Sequence, residues 1–217
     1  MEPADRMVSM APHDHGRDLR STGECVRSDE RRVPGDVAMW AFILAELLVF
    51  ALFFSAYAWF RHDERALFAA DQARVGLEQG FLDTALLILA SAAAAWAVRV
   101  ARAGQAGMVQ RARRGLLVAS GLAMGFLVSK SMDFVDKFHQ GLSMSTDDFW
   151  LFYFSLTFFH FLHVVLGLVI LMLVWHKLRP LRTFTDDSLN WIESGTAYWH
   201  MVDLVWIVLF ALVYVAR

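Results

Sequence analysis

The sequence predicts an all-α integral membrane protein in which a polar tail precedes a bundle of five transmembrane helices. Three observations carry the prediction. Of the 217 residues, 57% are hydrophobic and 14% aromatic, with a mean hydropathy of +0.42. A soluble domain of this size sits nearer roughly 45–50% apolar, so the excess calls for a second apolar environment, most simply lipid. Five stretches each reach the roughly 20 apolar residues that a helix needs to cross a bilayer core. Between them lie short segments rich in charge, glycine and turn formers.

The first helix is expected over residues 37–60, after the start signal Pro34-Gly35-Asp36, in which Asp36 can serve as cap. The second is expected over 81–100, rich in alanine and including the run Ala92 to Ala95. The third covers 115–135, where Gly121 and Gly125 form a G-x-x-x-G that hints at close helix packing. The fourth covers 149–175 and the fifth 196–216, so that residues 35–217 form the membrane domain. Residues 1–34 are polar, charged and poor in aromatics, and read as a disordered or loosely ordered tail. The tail lacks the apolar stretch of a secretory signal. Its Cys25 is the only cysteine, which excludes an intrachain disulfide and any multi-cysteine metal site. His13-Asp14-His15 could bind a divalent ion weakly, although a solvated tail is the simpler account.

Lysine and arginine set the expected orientation. Arg6, Arg17, Arg20, Arg27, Arg31 and Arg32 lie in the tail. Arg99, Arg102, Arg111, Arg113 and Arg114 follow the second helix, and Lys177, Arg179 and Arg182 follow the fourth. The opposite side carries Arg61, Arg65, Arg74, Lys137 and Arg217, so the N-terminus is expected in the cytoplasm and the C-terminus outside. Trp40, Trp59, Trp150, Trp175 and Trp191 fall near predicted ends, as interfacial belts do.

An ionisable group at membrane depth costs at least ~2.5–3.5 kcal/mol on insertion scales, so each one calls for a partner or a purpose. Glu46 is the one charge in the first helix and lies near its middle. It reads either as a proton-exchanging or lipid-gating carboxyl, or as a structural acid bonded to another helix. The fourth helix places Thr157, His160, His163 and Gly167 on one face, at helical spacing. The depths match, so a hydrogen bond from Glu46 to His160 or His163 is expected. In the fifth helix Glu193, His200 and Asp203 share a face, where a protonated His200 beside Asp203 or Glu193 would lower the cost of each charge. The third helix ends in Lys130, Asp133, Asp136 and Lys137, whose Lys130–Asp133 and Asp133–Lys137 spacings allow local ion pairs.

Several function classes find no support. The net charge of −2 gives no basic face for nucleic acid. His160 and His163 share a face, which suits a zinc or dinuclear site better than a haem, but zinc needs three or four ligands and no H-E-x-x-H is present. No nucleophile–base pair, phosphate-cradling loop or dinucleotide fingerprint occurs. A transporter or proton channel using Glu46, His160, His163, His200 and Asp203 as a relay remains a second reading. Internal repeats and paired breaks, which transporters often show, are absent from the sequence.

Three stretches resemble subunit III of cytochrome c oxidase: FILAELLVFALFFSAY in the first helix, SLTFFHFLHVVLGLVIL in the fourth and ESGTAYWHMVDLVW in the fifth. Together they span the membrane portion. The chain is most similar to the short five-helix NorE proteins associated with nitric oxide reductase, because it lacks the first two of the usual seven helices. The resemblance implies an accessory subunit in a bacterial inner membrane. Such a subunit binds no haem or copper, packs beside a haem–copper-type catalytic subunit, holds structural phospholipid and helps to sustain proton uptake. Glu46 resembles the family's carbodiimide-reactive glutamate, and His160, His163, Glu193, His200 and Asp203 resemble its buried polar residues. Tyr198, Trp199, Trp206 and Gly167 resemble cleft-lining or packing positions.

Overall fold

Every described element is helical. The computed structural model describes residues 37–103 and 107–216, so the expectations for the tail, Cys25 and the Asp36 cap lie outside the described residues. In chain order the elements are α1 (Val37–Asp63), α2 (Arg65–Gln72), α3 (Leu77–Arg102), α4 (Met108–His139), α5 (Asp148–Lys177) and α6 (Asp186–Phe210). α6 continues without a break into one π turn, Ala211–Val215. Five of these, α1, α3, α4, α5 and α6 with its π turn, are long and apolar enough to cross a membrane.

Most of the observed helices run past the apolar stretches, α3, α4 and α5 at both ends. α4 begins seven residues before residue 115, and α6 begins ten before residue 196. Hydropathy marks the part of a helix that lipid can cover, whereas the helix itself persists until its end groups are capped. At α6 that point is a reciprocal cap: the Thr185 side chain accepts from Ser188 N, and the Ser188 side chain accepts from Thr185 N. At α5, Asp147 accepts from Trp150 N. The short α2 escaped prediction because eight residues of mixed character carry little periodic signal. It is anchored by Phe68, which packs edge-on against Tyr57 of α1 and Phe149 of α5.

α3, α4, α5 and α6 pack around one another, while α1 lies along α5 and α6. The α3–α4 seam is built from small residues: Ala90, Ala94, Ala97 and Ala101 face Ala112, Ala119 and Ala123, and all are fully buried. Small side chains let two backbones approach and gain dispersion contacts where lipid supplies no hydrophobic drive. Gly115 belongs to the same seam, since an added Cβ would lie 2.9 Å from the Trp96 ring. The expected G-x-x-x-G face does not. A Cβ on Gly121 meets nothing within 4 Å, and one on Gly125 meets only Leu86 at 3.6 Å. Trp150, assigned to an interfacial belt from its position, is fully buried beneath Lys137, whereas Trp59 is 76% exposed.

Candidate functional site

Glu46 on α1 meets α5. Its Oε2 lies 2.9 Å from His163 Nε2, with 21% of the Glu46 side chain and 9% of the His163 side chain exposed. Thus, of the two histidines expected as partners, the structure pairs Glu46 with His163. His163 Nδ1 lies 2.7 Å from Phe159 O, a carbonyl that can only accept, so Nδ1 carries a hydrogen. The Nε2–Oε2 contact then holds one proton, either donated by the carboxyl to imidazole or by imidazolium to carboxylate. Phe50 and Phe159 wall the imidazole at 5.1 and 4.7 Å between ring centroids.

His160, one turn earlier, points into the bundle. It is fully buried between Phe126 and Trp206, and neither ring nitrogen has a hydrogen-bond partner among the described residues. Thr157 donates to Tyr153 O of its own helix. Gly167 admits the Trp199 ring so closely that a Cβ there would lie 2.9 Å from it. Tyr198, Trp199 and Trp206 are all fully buried, so the packed interior, not a lipid interface, is where they sit.

The polar residues of α6 point to α3. Glu193 accepts from Arg102 Nε at 2.8 Å, His200 Nδ1 lies 2.6 Å from Ser91 Oγ, and Trp206 Nε1 donates to Thr84 Oγ1 at 3.0 Å. His200 keeps Asp203 as a charged neighbour, as the shared face predicts, but the hydrogen bonds of His200 and Glu193 run to α3 across the α3–α6 seam. Residues three apart on a helix share a face, and the neighbouring helix offers that face better-aligned partners. Asp203 is 9% exposed and its Oδ1 has no hydrogen-bond partner among the described residues.

Sequence reasoning found Lys130 and Asp133 but missed Asp83 and the depth of the network they share. Lys130 Nζ, with no exposed side-chain surface, donates to Tyr214 Oη at 2.6 Å, Asp133 Oδ2 at 3.0 Å and Tyr153 Oη at 3.3 Å. Asp83 of α3, also fully buried, places Oδ2 3.8 Å from the same ammonium. Tyr153 Oη donates to Asp133 Oδ2 at 2.5 Å, and Ser129 donates to Asp83 Oδ1. The Lys130–Asp133 pair expected from spacing is present within a larger network. Lys137 instead donates to Arg74 O at 3.2 Å, so the expected Asp133–Lys137 pair gives way to a bond that closes the loop before α3.

Tyr214 reaches the network through the π turn, which rotates the end of α6 and frees its carbonyls. Leu212 O accepts from Tyr57 Oη at 3.3 Å, Val213 O from Gln72 Nε2 at 3.0 Å and Ala216 O from Arg61 Nη2 at 2.8 Å. α1 and α2 therefore cap the end of α6. Gly80 makes room for the Tyr214 ring, since a Cβ there would lie 2.6 Å from it. The signal that could have found this network is Asp83 itself, a carboxyl inside an apolar run, had it been treated as Glu46 was.

The family model for cytochrome c oxidase subunit III matches residues 16–216. A cytochrome c oxidase subunit 3 from Synechocystis sp. is 32% identical over 177 residues, 80% of this chain and 72% of that one. A quinol oxidase subunit 3 from Bacillus subtilis is 29% identical over 180 residues, 82% of this chain and 85% of that one. A cytochrome c oxidase subunit 3 from Thermostichus vulcanus is 26% identical over 204 residues, 91% and 96% of the two chains.

Proposed function

This chain belongs to the cytochrome c oxidase subunit III family, and from that membership and the geometry above we propose that it is a cofactor-free accessory subunit. It would pack beside the catalytic subunit of a haem–copper-type respiratory complex in a bacterial inner membrane, N-terminus in the cytoplasm. The observation that carries the reading is the Glu46–His163 pair. It sits on α1, the span with the least buried apolar window (11%), and Glu46 keeps 21% of its side chain at the bundle surface. A neighbouring subunit or lipid packed on α1 would touch that carboxyl, so the pair is within a partner's reach while the rest of the bundle remains a scaffold.

The finer assignment is a nitric oxide reductase partner, as in the NorE proteins, supported by the FFHFLHVVLG stretch of α5. A second reading, subunit III of an aerobic oxidase, draws on the names of the relatives. The Thermostichus vulcanus chain is matched over 96% of its length, so a short chain is compatible with either partner. Phospholipid binding is supported by a groove of about 850 Å³ between α1, α5 and α6, with Phe42, Ile170 and Leu173 as apolar wall and Lys177 and Trp191 at its mouth. The transporter reading loses support because the relay is interrupted. Glu46 and His163 meet at the α1–α5 seam, His200 bonds α3, and His160 between them is enclosed by rings.

The test is an affinity pull-down in mild detergent from cells grown with nitrate and little oxygen, and in parallel with air. Nitric oxide reductase subunits in the eluate would support the finer assignment, and oxidase subunits would replace it. A chain eluting alone from both cultures would contradict the accessory role.

A further inference from the structure

The network around Lys130 plays no part in the reading above, and its charges do not balance. Two carboxylates, Asp83 and Asp133, face one ammonium. Asp133 is well matched, since its Oδ2 accepts from both Lys130 and Tyr153. Asp83 is not. Its Oδ1 accepts from Ser129, but Oδ2 has no hydrogen-bond partner among the described residues, and Lys130 at 3.8 Å is beyond hydrogen-bond reach. An unmatched carboxylate in a fully buried site is costly, and the usual relief is to take up a proton. Both carboxyls face the same ammonium, so the state of one bears on the other.

A second observation supplies the route. Ser129 and Asp133 also line a groove of about 410 Å³ between α3 and α4, at the end where α4 stops, with Asp136, Lys137 and Gln140 at its rim. Gln79 in the same groove donates to Ser129 Oγ at 2.5 Å, and Ser129 donates in turn to Asp83. A chain of hydrogen bonds therefore runs from the groove to the unmatched carboxyl.

We propose that Asp83, beside the Lys130–Asp133 pair, is a proton-binding carboxyl that exchanges with water through this groove, on the membrane face where α4 ends. The step moves one proton between water and a carboxyl oxygen, and no other bond changes. Lys130 is the fixed cation of the site. From α5 it is faced by Tyr153 and His160, and from the π turn by Tyr214; Asp136 and Lys137 at the rim contribute opposite charges. The site lies apart from Glu46 and does not depend on which partner the chain joins.

Infrared difference spectroscopy of the purified full chain, with stepped pH in H₂O and D₂O, tests the proposal. A protonated-carboxyl C=O band should be present, lose intensity as pH rises and shift in D₂O. Asp83→Asn should abolish it, Glu46→Gln should leave it, and Gln79→Phe, which fills the groove, should slow its D₂O shift. Should Asp83→Asn fail to accumulate, Asp133→Asn must move the titration of the band, because the two carboxyls share one ammonium. A spectrum without such a band, a band indifferent to bulk pH, or one that survives Asp83→Asn or is unmoved by Asp133→Asn overturns the site.

Discussion

The Glu46–His163 pair and the Lys130 network both place charge at membrane depth, but they are built differently. Glu46 and His163 join two helices through one contact at 2.9 Å and remain partly exposed at the bundle edge. Lys130 has no exposed side-chain surface and joins α4 to α3, α5 and the π turn of α6. The rim pair has a free side that another subunit or lipid can occupy. The inner network is enclosed by Phe134, Tyr153, Trp206 and Tyr214, whose rings lie 5.3–5.8 Å from Nζ. Charge at membrane depth is thus left within reach from outside in one place and tied into the bundle in the other.

Removing the ammonium should break this comparison most sharply. Lys130→Met leaves Asp83 and Asp133 without their cation, and breaking a buried pair in this way costs ~3–5 kcal/mol. The variant should accumulate poorly and lose its folded peak on size exclusion in detergent after mild heating. Next come the glycines under rings. Gly80→Ala drives a methyl into the Tyr214 ring and Gly115→Ala one into Trp96, each costing ~1–3 kcal/mol as overpacking, read as a lower melting temperature. Gly121→Ala, whose methyl meets nothing, should be neutral or slightly stabilising. Equal losses at Gly115 and Gly121 would restore the G-x-x-x-G face.

Glu46→Gln is expected to matter less for folding. The carboxamide can still bond His163, and interhelical hydrogen bonds in membranes are worth ~0.6–1.7 kcal/mol. Accumulation should stay near wild type while carbodiimide labelling at this position disappears. A variant that fails to accumulate would move Glu46 from the rim class to the structural class.

The smallest effect concerns Asp147, the cap of α5 outside the spans. Partial burial and the nearby Asp71 carboxylate hold its carboxyl above the usual range, against the bond from Trp150 N. A raised carboxyl pKa in the fold means the folded state binds more protons, so this group weakens the fold as pH rises through the carboxylate range. Asp147→Asn keeps a capping oxygen and removes that penalty. It should raise the melting temperature slightly at neutral pH and leave it unchanged in acid.

The five spans were legible because each is a long apolar run, and Glu46 was legible because it stands alone in one. Helical spacing offered His160 and His163 as its partners, and packing chose His163. The Lys130 network was legible only in its local part, Asp133 three residues on. Its other members, Asp83, Tyr153 and Tyr214, come from distant segments, and no periodicity links them. Asp83 was diluted by the apolar average around it, and Trp150 was misplaced because nearness to a helix end says nothing about which face a side chain takes. Local pattern gives the depth of a residue in the bundle; the neighbour it meets is set by packing.

The accessory, cofactor-free role is tested most directly by measuring haem per mole of tagged chain, first in mild detergent and again after a harsher detergent separates the subunits. The account predicts haem in the first eluate at a fixed ratio to the chain, and a folded, colourless chain in the second. Haem that stays with the isolated chain, or none in either eluate, would contradict it.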